Sequence, residues 1–350
     1  MEFGLQFFPD IGPEIKAADV YWRECLQLTA LADELEYTHI RTVEHHFQVY
    51  GGYSPAPHIF LTAAAMRCQK ARLITGAVLP IFNHPLKIAG EIGMLDAISE
   101  GRLECGFARA FLPVEFQAFD RSLDESKARF FEGMEQVRQL LENENVTNKG
   151  EFHSFSNVTA LPRPTQKPRP PFWVAALITP ESFEFAGKSG FNLMAIPLPG
   201  GKMNELIKIY REAWKNAGHE GRGKVMLAHH MFCHEVHDTA LEIAREPLNR
   251  YLKSLVNAAS MWLTGSSSHD YPGYDKIIET LSKETADSQI EKSAAFIGSP
   301  ERLVEQINEY QEATGGFDIA SLQVNFNDIN VRDAENSMRL FSNKVMPQIK

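Results

Sequence analysis

Short apolar runs of strand length alternate with longer segments of helical period along almost the whole chain, and no other feature limits its fold as strongly. Phe3 to Phe8 precedes Val20 to Glu36, His39 to Val43 precedes Ala56 to Cys68, and Leu73 to Leu79 precedes Leu86 to Ile98. The rhythm continues with Arg102 to Ala108 and Glu125 to Leu141, Phe172 to Leu177 and Glu181 to Lys188, and Asn192 to Ile196 and Lys202 to Ala217. Val225 to Phe232 with Thr239 to Leu255, and Ile319 to Val324 with Ala334 to Val345, bring the count to about eight strands, each with its helix. Strands connected through helices run parallel with right-handed crossovers, and eight of them close into a single (β/α)8 barrel, the TIM-barrel architecture. A doubly wound open sheet is the rival. It is disfavoured because no G-x-G-x-x-G turn follows the first strand.

The 350 residues fit two average domains or one large barrel, so length alone does not choose. No composition shift marks a boundary, and one domain over residues 1–350 is expected. Two stretches interrupt the rhythm. The Pro-rich connector from Leu161 to Pro171 cannot be helical, because proline removes a donor and clashes with the preceding turn. The polar stretch from Thr264 to Lys292 is a long insertion, either a lid or a disordered loop.

A net charge of −10 without a Lys/Arg stripe argues against nucleic-acid binding. No run approaches the roughly twenty apolar residues of a membrane span, and the opening lacks a basic region followed by a long apolar core. A soluble, cytoplasmic protein is the expectation. The four cysteines, Cys25, Cys68, Cys105 and Cys233, form no CxxC pair and read as buried reduced thiols.

The candidate chemistry sits where strands end. Thr42-Val43-Glu44-His45-His46-Phe47 closes the second strand, the end at which barrels place catalytic groups, and an imidazole there suits proton transfer at neutral pH. Side chains alternate along an extended chain, so only one of His45 and His46 is expected to face the pocket. Phe107-Ala108-Arg109 ends another strand in a guanidinium suited to phosphate oxygens. Lys127 stands near the start of the long helix that follows. Thr179 and Ser182 flank Pro180 at a helix opening, offering hydroxyls and free backbone N–H groups to an anion. Individually these are helix caps or surface charges; together they outline a phosphate seat. His229, His230, His234 and His237 do not have zinc spacing, because adjacent strand histidines diverge. No G-x-S-x-G elbow is present.

These segments, with the opening MEFGLQFF, VEHHF, the block from LITGAVLPIFNHP to ECGFARAF, TPESFEFAGKSG and the closing SMRLFSNKVMP, resemble the bacterial luciferase-like flavin monooxygenases in order and spacing. The resemblance implies a barrel that binds reduced FMN at its mouth and uses O2 as co-substrate, activated as a flavin peroxide. It makes His45 the catalytic histidine, with Glu44 beside it as a second catalytic residue. It also implies that Arg109, Thr179, Ser182 and the main chain of Ile178 hold the phosphate. Lys127 stands where bacterial luciferase has a second arginine, a change that keeps the charge and loses the fork. Gly76-Ala77 matches a non-prolyl cis peptide beneath the flavin ring, and Ala108 replaces a reactive cysteine. The insertion from Thr264 falls on a mobile active-site loop of that family.

The implied reaction is oxygenation of a small or elongated apolar organic substrate, with reduced flavin delivered by a separate reductase. Phe8 and Phe111 are the favoured pocket residues, while Phe82 and Trp173 are pocket or ordinary core. A deazaflavin-dependent oxidoreductase on the same fold and a non-catalytic flavoprotein subunit are the alternatives. Pairing through helices beside the second and third strands implies a homodimer or heterodimer.

Overall fold

The computed structural model describes residues 1–349. Eleven strands are present: β1 (Glu2–Phe7), β2 (His39–Thr42), β3 (Arg72–Thr75), β4 (Leu103–Phe107), β5 (Val146–Lys149), β6 (Ser154–Val158), β7 (Phe172–Ala176), β8 (Asn192–Ala195), β9 (Val225–Cys233), β10 (Ala295–Gly298) and β11 (Ile319–Gln323). The helices are α1 (Ala18–Thr29), α2 (Pro57–Ala65), α3 (Pro85–Ile98), α4 (Pro113–Ala118), α5 (Ser126–Glu142) and α6 (Pro180–Lys188), followed by α7 (Gly200–Asn216), α8 (His237–Ala258), α9 (Tyr274–Leu281), α10 (Ala286–Glu291), α11 (Pro300–Thr314) and α12 (Val331–Lys344).

Eight strands pair in parallel around a ring, β1-β2-β3-β4-β7-β8-β9-β11, which closes because β1 pairs with β11 and β8 with β9. This is the expected (β/α)8 barrel, and each ring strand is one of those read from the sequence. The barrel is filled rather than hollow: Ile74, Trp173, Met194, Met226 and Ile319, from five strands, pack together at its axis. Trp173 is therefore core and not pocket lining, and its indole N–H donates to Glu104.

The helices start where the chemistry of helix ends predicts. Proline occupies the first turn of α2, α3, α4, α6 and α11, where its missing N–H costs nothing. Each helix buries one stripe: in α5, Phe130, Met134, Val137 and Leu141 recur at spacings of four, three and four. The Pro-rich connector is fixed by Arg163, whose guanidinium donates to the carbonyls of Leu140 and Leu141, both 2.6 Å away, and so caps the end of α5.

Besides the insertion, five elements lie outside the sequence reading. The β5–β6 hairpin and α11 fall in segments assigned no structure, α4 is a single buried turn and a half, and β10 pairs with the far end of β9, from His230 to Cys233. The Thr264–Lys292 insertion is not one loop. It carries α9 and α10, the latter with a Thr285–Ser288 capping box, and is packed on the barrel mouth through the buried side chains of Tyr271, Tyr274 and Ile278. The four cysteines are buried and unpaired, and among the described residues no helix is long and apolar enough to cross a membrane.

Candidate active site

The mouth of the barrel lies at the carboxyl ends of its strands, and the chain leaving β2 brings His45 into it. His45 is 8% exposed, its ring flanked by Phe8 at 5.7 Å, Tyr50 at 5.2 Å and Phe111 at 6.0 Å between centroids. The loop can pass this close because Gly51 has a φ of +80° and lacks a Cβ, which would fall 2.5 Å from that of His45.

The imidazole is oriented from behind. Its Nδ1 lies 3.0 Å from Oε1 of Glu115 on α4, and the same oxygen accepts the His46 backbone N–H at 2.8 Å. Glu115 is wholly buried. With a carboxylate at Nδ1, the proton resides on that nitrogen and Nε2 keeps its lone pair for the mouth. Sequence reasoning missed Glu115, because a six-residue helix leaves too short a periodic signal to place its faces.

Glu44 points the other way. Its Oε2 accepts from the Leu79 backbone N–H at 2.9 Å, while Oε1 accepts from the Asn83 amide at 2.8 Å and meets His46 Nε2 at 3.2 Å. The carboxylate thus ties the end of β2 to the turn after β3. His46 joins an aromatic cluster with Phe82 and Phe119, so Phe82 backs the loop rather than flanking His45.

Gly76-Ala77 is a cis peptide directly after β3. The guanidinium of Arg41 lies against it, donating to the Gly76 carbonyl at 2.9 Å. An added Cβ on Gly76 would overlap Arg41 Nε at 1.9 Å, so glycine is required for this approach.

The phosphate-seat residues gather in a neighbouring sector. Arg109 follows β4 and Thr179 follows β7, and these strands are adjacent in the ring, with Phe107 opposite Val174. Ile178, Thr179 and Ser182 are half-buried at the start of α6, and Phe131 of α5 packs on Phe185 of α6 at 4.5 Å. Arg109 and the first turn of α5 converge on one segment of the insertion. Arg109 Nη2 donates to the Asp270 carbonyl at 2.7 Å and its guanidinium lies 4.6 Å above the Tyr271 ring. The Asp270 carboxylate accepts the Lys127 backbone N–H at 2.8 Å and the Ser126 hydroxyl at 3.4 Å. The amine of Lys127 is exposed at the rim.

The insertion is anchored as a strap across this sector. The Tyr271 hydroxyl donates to the Ala110 carbonyl at 2.9 Å, and Trp262, just before the insertion, donates from Nε1 to the Phe111 carbonyl at 2.8 Å. Neither histidine of β9 hydrogen-bonds to these residues. His229 stacks on Phe296 at 4.1 Å and shares Nδ1 with the Ala294 carbonyl, and burial pulls both His229 and His230 down to about 3.

Fold and site together define a (β/α)8-barrel protein with an oriented histidine at one mouth, and beside it a helix start whose backbone N–H holds a carboxylate. The sequence profile of the luciferase-like monooxygenases matches residues 1–316, and the chain belongs to that family. The monooxygenase RslO1 of Streptomyces bottropensis is 39% identical, with a TM-score of 0.88 over 99% of each chain. The oxygenase component of the flavin-dependent trigonelline monooxygenase of Acinetobacter baylyi is 34% identical over 64% of this chain and 62% of its own length. An uncharacterised protein of Sinorhizobium fredii is 33% identical over 56% of each. These two matches therefore span less than two thirds of the relatives' lengths.

Two more distant structures share the fold. The oxygenating constituent of 3,6-diketocamphane monooxygenase from Pseudomonas putida, in complex with FMN, has 22% identity and a TM-score of 0.82 over 100% of this chain and 99% of its own. An F420-dependent secondary alcohol dehydrogenase has 15% identity and a TM-score of 0.76 over the same shares.

Proposed function

We propose that this chain is the oxygenase component of a two-component monooxygenase, taking FMNH2 from a separate reductase and O2 from solution to oxygenate a small or elongated apolar organic molecule. The observation that carries the reading is the convergence of Arg109 and the first turn of α5 on one residue, Asp270, in the mouth that also holds His45: Arg109 donates to its backbone carbonyl, and the turn holds its carboxylate. A seat that already accepts an anion has the chemistry a flavin phosphate requires. Thr179, Ser182 and the Ile178 main chain, on the adjacent strand end, complete it in this reading, with the Lys127 amine at the rim. The FMN complex of a protein of the same fold and the name of the trigonelline relative support FMN and the reductase, respectively.

Bound reduced flavin supplies the electrons that activate O2, with one oxygen atom passing to substrate and the other leaving as water. The chain's own residues do the rest. His45 Nε2 holds or delivers a proton at the reacting edge, with Glu115 fixing its tautomer. Glu44 is a positioning residue that holds the loop. Phe8 and Phe111 give His45 an apolar surround, which excludes water and accepts an apolar substrate. The strap over Arg109 covers the ligand once seated.

Ile59 of α2, Met66 just after it and Met94 of α3 are exposed, at 75%, 67% and 58%. Large apolar side chains clustered on helices beside β2 and β3 suit a dimer contact, with a second copy or a related chain.

Anaerobic titration with FMNH2 and with reduced F420, each followed by admission of O2, tests the function. Binding of FMNH2 with rapid O2-dependent flavin oxidation is expected. Binding of the deazaflavin alone, with hydride transfer and no O2 uptake, overturns the monooxygenase reading.

A further inference from the structure

Arg41 is a permanent cation inside the barrel without an acidic partner. It projects inward from β2, opposite Gln6 of β1, and only 8% of it is exposed. The guanidinium has five N–H donors, of which one goes to Gln6 Oε1 and one to the Gly76 carbonyl. Nε has no partner. The titratable groups that act on it are the phenols of Tyr251 and Tyr50, and among the described residues no carboxylate forms an ion pair with it. Burial pulls its pKa down only to about 10, so the charge persists at neutral pH.

Its neighbours make a polar floor beneath the mouth. Gln6 also meets Gln323 at 3.4 Å and Ser321 at 3.4 Å. Tyr50 and Tyr251 lie 3.5 Å apart through their hydroxyls, and both pack on Phe8, the ring that flanks His45. A glutamine at position 41 could support Gly76 and Gln6 without bringing a charge out of water. A desolvated ion is costly unless something pairs it, and this chain supplies nothing that does. The counter-charge therefore belongs to what enters the mouth.

We propose that Arg41 anchors a delocalised anion, an N–C–O or O–C–O acceptor pair, presented by a ligand lying over the Gly76-Ala77 peptide. This rests on the reading that a flavin ring occupies that place. The anion is either the deprotonated pyrimidine edge of the reduced flavin or an ionised acidic group on the substrate. A guanidinium fork matches both, because two parallel N–H bonds meet two coplanar acceptors.

Two measurements on the full chain, its Arg41→Gln variant and its Arg41→Lys variant separate these sources. The first is anaerobic pH titration of bound FMNH2 by absorbance. A flavin-borne anion lowers the ring's ionisation by about one pH unit or more relative to free FMNH2, with the shift kept in R41K and lost in R41Q. The second uses benzoate as a probe, read as a perturbation of the bound FMN spectrum. A substrate-borne anion gives saturable benzoate binding that weakens about tenfold or more in R41Q and is largely kept in R41K. Either result supports the anchor and names its source. FMNH2 that binds the wild type but ionises as in free solution, together with no benzoate perturbation, overturns it without recourse to a variant. Failure of FMN to bind at all instead overturns the flavin reading.

Discussion

His45 Nδ1 and Glu115 Oε1 lie 3.0 Å apart although 70 residues separate them in the chain, and the carboxylate is fully buried. A buried acceptor at one ring nitrogen leaves the other as the base, so the two residues act as a unit. His45→Ala is expected to lower oxygenation by about 10²-fold or more while FMN binding changes little. Glu115→Gln is expected to lose roughly tenfold or more and to move the pH profile of kcat. The double variant should lose little beyond H45A alone. Steady-state rates across pH check this, and near-wild-type turnover in H45A removes the role given to the imidazole.

The Arg109 guanidinium lies beside the proposed seat, donating to the Asp270 carbonyl. Arg109→Ala should weaken reduced FMN by about tenfold or more, the usual worth of a charge-assisted hydrogen bond, with riboflavin, which has no phosphate, affected far less. Equilibrium titration of both ligands decides, and an unchanged FMN dissociation constant rules the seat out.

Asp270 occupies the first turn of α5 through Lys127 N–H, 2.8 Å away. A phosphate approaching that turn meets a carboxylate already in place, so the strap competes with the flavin tail. Asp270→Asn weakens the competitor and should tighten FMN by a few-fold, in line with the loss of one charged hydrogen bond. Riboflavin is the control: an equal gain for it means that Asp270 acts on something other than the phosphate.

His229 and His230 are held neutral by burial, down to about 3. Their folded pKa lies below the unfolded one, so the unfolded chain takes up protons first as pH falls below about 6.5, and stability is lost from there towards pH 3. Each imidazole should remove about 2 kcal/mol at pH 5 relative to pH 7.5. Urea midpoints at the two pH values measure the slope, and His230→Phe should halve the share owed to this pair. A slope unaltered by the substitution means that other groups govern acid lability.

Ile59, Met66 and Met94 leave more than half of each side chain in solvent. If these helices meet a second copy, Ile59→Arg places a charge in an apolar contact and should shift a dimer to monomer in sedimentation equilibrium. A wild-type chain that is monomeric at micromolar concentration rules out a homodimer through this face.

Each ring strand was legible because a buried parallel strand is a continuous apolar run and its following helix has a different period. For Trp173 the pattern left pocket and core open, since an aromatic near a strand end fits either; closure of the ring turned it to the axis beside Met194 and Met226. Short elements such as α4 and β10 escaped because their signal is shorter than the window that reveals periodicity. Of the site, VEHHF and Arg109 stood out as polar groups breaking apolar runs, and Phe8 and Phe111 do flank the histidine.

What the sequence determined by itself, then, was the barrel and the strand ends at which polar groups cluster, because both follow from local periodicity. Tertiary structure alone decided which distant groups meet. Glu115 reaches His45, Asp270 reaches the helix behind Arg109, and among the described residues no carboxylate forms an ion pair with Arg41. Hydrogen bonds and uncompensated charge depend on distances across the closed ring, and spacing along a chain does not encode them.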